Sequence, residues 1–561
     1  MKRIISVILM VMFIPIFASA CIGKKNSSAE EDRKYLIYNL GVIPKDLSMM
    51  SNDEVRGHDL LLALFDGLVR ENESGDVVPS LAEDYSVSSD GIEYIFNIRN
   101  DIYWSDGTPI KAQDFKDFFK WILNKETKNI YAEDLYFIYG AKEYRENNGD
   151  FEDVAISVKD DNNFIIRLNT PCSYFVNILT NPIYNLRREE DTTKLKDYYN
   201  DVLSSGPFKL KAVAEGGIII EKNTKYYNSK HVKSDNIVMK TLDNSESALV
   251  EFEALWGTKG RPINGSNHFN DTSRNFTNGD SKIDFFIEPP INEIQRLKDL
   301  KMIETYDNLN STNYMFNMNK NIFKNENLRK AIVYAFSKKD IIKELAENVA
   351  IETMSYIPPA TNNGIGSDYG VKNSLGAEGN EELSKELFSR AKYDKEKYLK
   401  LYYTDSYLNR SIAEECKKDL KKVLDINIEL VQYKAGELEE ILDEGIYDII
   451  QRDFQSGFDD AVDFLSNFSN NSDVNKCGYV NKEFDSAILE LRTEIDPLKR
   501  KELIVSVEEI LLNDAPMIPI YSSSNVLCRR EYVEGVYITK LGNMNLDKAF
   551  KSNKDMKGTM P

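Results

Sequence analysis

Ser89-Asp90-Gly91-Ile92-Glu93-Tyr94-Ile95-Phe96-Asn97-Ile98-Arg99, followed after four intervening residues by Trp104-Ser105-Asp106-Gly107-Thr108-Pro109, is the stretch on which the fold turns. Asp90-Gly91 and Asp106-Gly107 are turn dipeptides. Between them Tyr94, Phe96 and Ile98 alternate with Ile95, Asn97 and Arg99, which predicts a strand. Past the second turn Phe115, Phe118, Phe119, Ile122 and Leu123 fall on one helical face. Working outward, the same two periods recur. Phe164, Ile166 and Leu168 alternate, as do Ile426, Ile428 and Leu430. Leu328, Ala331, Ile332, Ala335 and Phe336 make a helical stripe, and Ser337 with Asp340 resembles a capping box for a helix carrying Ile341, Ile342 and Leu345. A further stripe, Ile412, Ala413, Cys416, Leu420, Val423 and Leu424, leads directly into the strand at Ile426. Strands interleaved with helices define an α/β chain. Residues 256–280, polar and rich in Asn, Gly, Ser and Thr, read as a long loop, and residues 358–379 as a second.

At 561 residues the chain is long enough for more than one folding unit. Its net charge of −20 repels phosphate backbones and argues against nucleic acid. Three histidines leave little for a histidine-based metal or catalytic centre. No Gly-x-Ser-x-Gly, His-Glu-x-x-His, Walker A or Gly-x-Gly-x-x-Gly motif occurs, and no Cys-x-x-Cys. The expectation is therefore a protein that is not an enzyme, with no cofactor and no metal. Cys416 lies on an apolar helix face and reads as a core thiol. Any pairing of Cys172, Cys416, Cys477 and Cys528 is not deducible from spacing.

Met1-Lys2-Arg3, an apolar run over residues 4–17 and Ala18-Ser19-Ala20 form a secretory signal over residues 1–20. The apolar run is shorter than the roughly 20 residues that span a bilayer. Cys21 follows at once, and small residues before a cysteine resemble the bacterial lipoprotein signal. That resemblance implies lipidation of Cys21, an extracytoplasmic protein held at the cell membrane, and a flexible linker over residues 21–33. The family usually has leucine where Ala18 stands.

Further segments are more specific. Leu64-Phe65-Asp66-Gly67-Leu68-Val69, Pro79-Ser80-Leu81-Ala82-Glu83-Asp84-Tyr85 and the opening stretch occur in series. Ser205-Gly206-Pro207-Phe208, Asn223 with Tyr226-Tyr227, Leu328-Arg329-Lys330-Ala331, Ile357-Pro358-Pro359, Phe464-Leu465 and Ala515-Pro516-Met517-Ile518-Pro519 follow in order. Together they resemble family 5 of the extracellular solute-binding proteins, the oligopeptide-, dipeptide- and nickel-binding group of ABC importers. The resemblance implies a class II periplasmic-binding-protein-like fold: two hinged α/β lobes with an additional inserted third domain. It implies a discontinuous lobe I (34–64, 200–309 and 516–550), an inserted domain II (65–199), a lobe II (310–515) and a C-terminal tail (551–561). It also implies a monomer that captures an oligopeptide between closing lobes and delivers it to the transmembrane subunits of an ABC permease. The alternative is a receptor for one signalling peptide, or a binder of a non-peptide solute such as a metal chelate.

In that family one ligand-facing strand of the third lobe carries an aromatic and, a few residues on, an aspartate that holds the peptide α-ammonium. A salt bridge in a closed cleft suits that task. Counting back from Phe464-Leu465 puts Phe454 at the aromatic position and Gly457 at the aspartate position. Asp453, Asp459 or Asp460 could supply the charge instead, or the ligand has no free amine. Gln455 and Phe458 share the segment. Gly41 falls near the first-lobe ligand strand, Tyr131 and Tyr136 in an aromatic cluster of the second domain, and Phe286 on a crossing strand of the first lobe. Each of these four could line a pocket or simply fill the core.

Overall fold

The computed structural model describes residues 35–48, 56–242, 244–254, 282–345, 349–353, 355–361, 379–394, 398–472 and 474–552. The signal segment 1–20, Cys21, the linker 21–33, the loop 256–280, most of the loop 358–379 and tail residues 553–561 lie outside the described residues.

The opening stretch folds as its periods dictate. Gly91 (φ +71°) and Gly107 (φ +94°) both take the left-handed backbone that an Asp-Gly turn needs. Glu93–Ile98 is a strand between Ala82–Val87 and Asn163–Arg167 in a four-stranded antiparallel sheet. The helix Ala112–Leu123 lays Phe115 and Phe119 against Phe164, with ring centroids 5.7 Å apart in both pairs. Its first turn is held by the Lys111 backbone N–H donating to Asp114 Oδ2 at 2.7 Å. The expected helices over Glu326–Tyr334, Lys338–Leu345 and Tyr407–Leu424 also form, and Asp340 N–H donates to Ser337 Oγ at 3.2 Å.

Two larger sheets make the rest. A seven-stranded sheet runs in the order Ile303–Tyr306, Asn525–Arg529, Phe285–Ile287, Leu36–Asn39, Asn236–Lys240, Gly217–Lys222, Phe208–Ala214. Leu36–Asn39 is parallel to both its neighbours and the other pairings are antiparallel. Successive residues feed opposite faces: Tyr38 and Phe285 enter one apolar layer, Ile37 and Phe286 the other. A six-stranded sheet runs in the order Ala350–Glu352, Met517–Ser523, Asn310–Phe316, Ile449–Gln455, Tyr398–Thr404, Asn427–Tyr433. The chain passes between these two sheets through residues 307–309 and again at Ser524.

One boundary is corrected. The return to the first sheet was expected at Pro516, but Met517–Ser523 pairs antiparallel with Asn310–Phe316 and with Ala350–Glu352, so the return falls at Ser524. An apolar strand buried on both faces suits either sheet, and the pattern does not say which.

Three of the motifs quoted above, Leu64 to Val69, Ser205 to Phe208 and Asn223 with Tyr226, meet at one seam between the small sheet and the seven-stranded sheet. Ser205 Oγ donates to Leu186 O at 2.7 Å and Asn223 Nδ2 to Gly206 O at 2.9 Å. Tyr226 OH donates to Asp66 Oδ2 at 2.6 Å, and Arg70 bridges Asp66 and Asp547. They are scaffold. Cys172, Cys416, Cys477 and Cys528 are all buried free thiols.

Candidate ligand site at the junction of the two sheets

Ile449–Gln455 is an inner strand of the six-stranded sheet, between Asn310–Phe316 and Tyr398–Thr404. Its C-terminal end meets the crossing: Ser456 N–H donates to Leu309 O at 2.9 Å, and Leu309 N–H to Lys540 O at 3.0 Å. The strand's two faces differ. Phe454 is turned inward, with Phe468 at 6.2 Å and the Arg452 guanidinium 5.1 Å over its ring. Asp453 and Gln455 are exposed on the opposite face. Asn310 Nδ2 donates to Gln455 Oε1 at 3.2 Å and Thr312 Oγ1 to Asp453 at 2.6 Å.

The loop after the strand is clasped by the other units. Phe458 is buried and stacks on Tyr174 of the small-sheet unit, with centroids 5.5 Å apart and planes 5° from parallel. Asn181 Nδ2 donates to Gly457 O at 3.0 Å and Asn177 Nδ2 to Asp459 O at 2.9 Å. Asp459 is buried and pairs with Lys540 at 2.8 Å. Asp460 pairs with Arg500 at 2.5 Å, and that guanidinium lies 4.9 Å over the Tyr174 ring. Burial pushes the Asp460 carboxyl up to about 6 against the pull of Arg500.

Two further carboxylates converge where a side chain at 457 would begin. A Cβ there would lie 3.7 Å from Asp134 Oδ2 and 3.9 Å from Asp463 Oδ2. Asp463 accepts from Ser456 Oγ at 2.7 Å and from Gly457 N–H at 2.8 Å, which folds the loop. Burial, then the Asp463 charge, push the Asp134 carboxyl up to about 7.

The remaining candidates are dispersed. Tyr131 is half-buried near this loop: its carbonyl accepts from Tyr184 OH at 2.8 Å, that hydroxyl also reaches Asp134 at 3.3 Å, and its ring lies 5.9 Å from His58. Tyr136 ends the short helix Ile130–Leu135. Phe286 is 1% exposed and packs edge-on against Phe252 at 5.5 Å, so it fills the core. Gly41 (φ +84°) lines a cavity of about 730 Å³ with Lys196, Val213, Glu215, Thr241 and Ser247. Among the described residues, none of the six-stranded sheet lines that cavity. Sequence reasoning missed Tyr174, Asn177, Asn181, Thr312, Asp134, Asp463 and Lys540. Only Asp463 carried a signal, standing three residues after the helix-capping Asp460.

Comparison with known proteins gives the architecture its place. The family model described as bacterial extracellular solute-binding proteins, family 5 Middle, matches residues 76–254 and 267–476. The chain belongs to that family. The oligopeptide-binding protein OppA of Bacillus subtilis is 27% identical over 572 aligned positions, covering 98% of this chain and 100% of the relative. The Borrelia burgdorferi oligopeptide-binding protein OppAIV superposes with a TM-score of 0.71 at 25% identity, covering 92% of this chain and 99% of that one. Haemophilus influenzae OppA, solved in complex with RPPGFSPFR, superposes with a TM-score of 0.70 at 20% identity over 92% and 99% of the two chains. As a family 5 protein this chain has the class II periplasmic-binding fold with an extra domain. Its curated relatives are oligopeptide- and dipeptide-binding proteins. Among the described residues no helix is long and apolar enough to cross a membrane, and no cluster of three metal-ligating side chains occurs.

Proposed function

We propose that this protein is the extracytoplasmic ligand-capturing subunit of an ABC importer, binding oligopeptides between its two large sheets and passing them to a membrane permease. The observation that carries this reading is the pair of crossings at residues 307–309 and 524. Two sheets joined by two short segments can close on a ligand, with an exposed strand face at their junction available for backbone pairing. The similarity to oligopeptide-binding relatives along nearly the whole chain supports it. The proposed lobe I comprises residues 34–64, 200–309 and 524–550, the inserted domain residues 65–199 and lobe II residues 310–523. The protein works as a monomer, without catalysis or cofactor, and is tethered to the cell membrane through lipidated Cys21 behind a cleaved signal peptide. Calorimetric titration of the purified mature chain with a mixed peptide pool tests the binding. Saturable heat supports it, and absence of both heat and co-purifying peptide counts against it.

Gly457 motivates a second reading, in which the ligand is one signalling peptide or a non-peptide solute such as a metal chelate. Mass spectrometry of what the purified protein retains separates the two. A peptide mixture supports the importer, and a single defined species supports the alternative.

A further inference from the structure

We infer that Arg187 and Arg188 form a second small-molecule site, apart from the sheet junction, that takes a zwitterion of the amino-acid type, its carboxylate on the two guanidiniums and its ammonium toward an acidic rim. Such a site is independent of peptide binding in the cleft. A cavity of about 310 Å³ lies between the helix Ala112–Leu123 and residues 186–190, walled by Trp104, Phe118, Trp121, Arg187 and Arg188. That volume is at the small end of ligand sites. Among the described residues, none of the six-stranded sheet or of the loop 456–463 lines it.

Arg187 is 1% exposed. Its Nη1 donates to Ile183 O and Asn185 O and its Nη2 to Ser48 O, each at 2.9 Å. All three acceptors are carbonyls, and Nε is left with no partner. The guanidinium lies 5.3 Å from the centre of the Phe118 ring and 5.4 Å from that of Trp121. Arg188 is half-buried, with its guanidinium 4.7 Å over the Trp104 ring. Among the described residues, neither arginine forms an ion pair with a carboxylate. Burial pushes the Arg187 guanidinium down to about 9 and the Asp46 charge counters only part of this, so it stays charged at neutral pH. A buried cation without an anion is costly, and a carboxylate received by two guanidiniums offsets that cost through charge-assisted hydrogen bonds.

The rim selects the rest of the ligand. Asp117, Glu189 and Glu190 are exposed at the cavity, and Asp114 is half-buried there. Asp114 accepts from the Lys111 N–H at 2.7 Å and Asp117 from Gln113 Nε2 at 2.8 Å. Burial raises the Asp114 carboxyl, and the Lys111 N–H and then the Arg188 charge pull it back. Four carboxylates around two guanidiniums repel a bare anion and attract an ammonium on the same molecule.

Calorimetry on the full mature chain uses L-alanine, acetate and methylammonium as probes, with and without a saturating mixed peptide pool. Alanine is expected to bind in both conditions, and each half-ligand about tenfold or more weakly than alanine. Arg188→Gln is expected to weaken alanine about tenfold or more, with Arg187 left in place to keep its carbonyl contacts. Glu189→Gln combined with Glu190→Gln is expected to weaken alanine while strengthening acetate, a reversal that damage to the fold does not produce. A wild-type chain that binds no alanine overturns the inference, and so does an unchanged alanine affinity in Arg188→Gln. Acetate bound as tightly as alanine overturns it too, as does displacement of alanine by the peptide pool, which places the alanine in the cleft. Failure of the pool itself to bind counts against the peptide reading alone.

Discussion

At position 457 a missing side chain governs the charges around it. With no Cβ there, Asp134 and Asp463 approach the same point from two units of the molecule. Gly457→Asp would add a third carboxylate to that point. The folded state would then hold protons more tightly than the unfolded chain, so stability falls as pH rises through the raised range. The expected outcome is a loss of about 1–3 kcal/mol at pH 8 that largely disappears at pH 5, read from thermal denaturation at both values. An equal penalty at both would mean that crowding is responsible instead. The departure at Gly457 was legible in the sequence, because it is a single position counted from Phe464-Leu465. The fates of Asp459 and Asp460 were not. Lys540 stands 81 residues away and Arg500 stands 40 residues away, and nothing local to the aspartates marks either partner. That Phe458, a candidate on the same segment, stacks on Tyr174 was not legible either, because an aromatic on a loop looks the same whether it meets ligand or another unit.

Among the elements, period and turn chemistry carried most of the reading. The strand Glu93–Ile98 and the helix Ala112–Leu123 follow from alternation, helical spacing and two Asp-Gly turns. The motif Ser205-Gly206-Pro207 was visible as letters, and the structure supplies its reason. A Cβ at Gly206 would lie 2.6 Å from Phe65 N and 2.7 Å from Leu64 C, which are main-chain atoms that cannot rotate away. Gly206→Ala is therefore expected to cost about 2–3 kcal/mol, read as a lower urea midpoint at unchanged slope. A wild-type midpoint would show that the seam can open at no cost. Which sheet Met517–Ser523 joins was not legible, since that depends on the edge left open by Asn310–Phe316.

Across the whole molecule three units meet at Lys540. Its ammonium pairs with Asp459 of the proposed lobe II, and its backbone N–H donates to Glu71 of the inserted unit at 2.9 Å. Burial pushes the Glu71 carboxyl up to about 7. Lys540→Met leaves the buried Asp459 carboxylate without this lysine and is expected to cost about 3–5 kcal/mol. Adding Asp459→Asn should recover a substantial part. A double-mutant cycle by thermal denaturation measures the coupling, and additive losses would show that the pair does not hold the units together.

The sequence by itself determined the α/β class, the positions of the strands and helices where apolar spacing is regular, the family, and the vacancy at Gly457. Those features are written in local period or in ordered motifs. Only the tertiary structure decided which aspartates are neutralised, that the Ser205-Gly206-Pro207 motif and Asp66 form a seam, and that Asp453 stands exposed at the junction. An ion pair or a close backbone approach depends on residues that share space without sharing neighbourhood in the chain, so their chemistry appears only when the units pack.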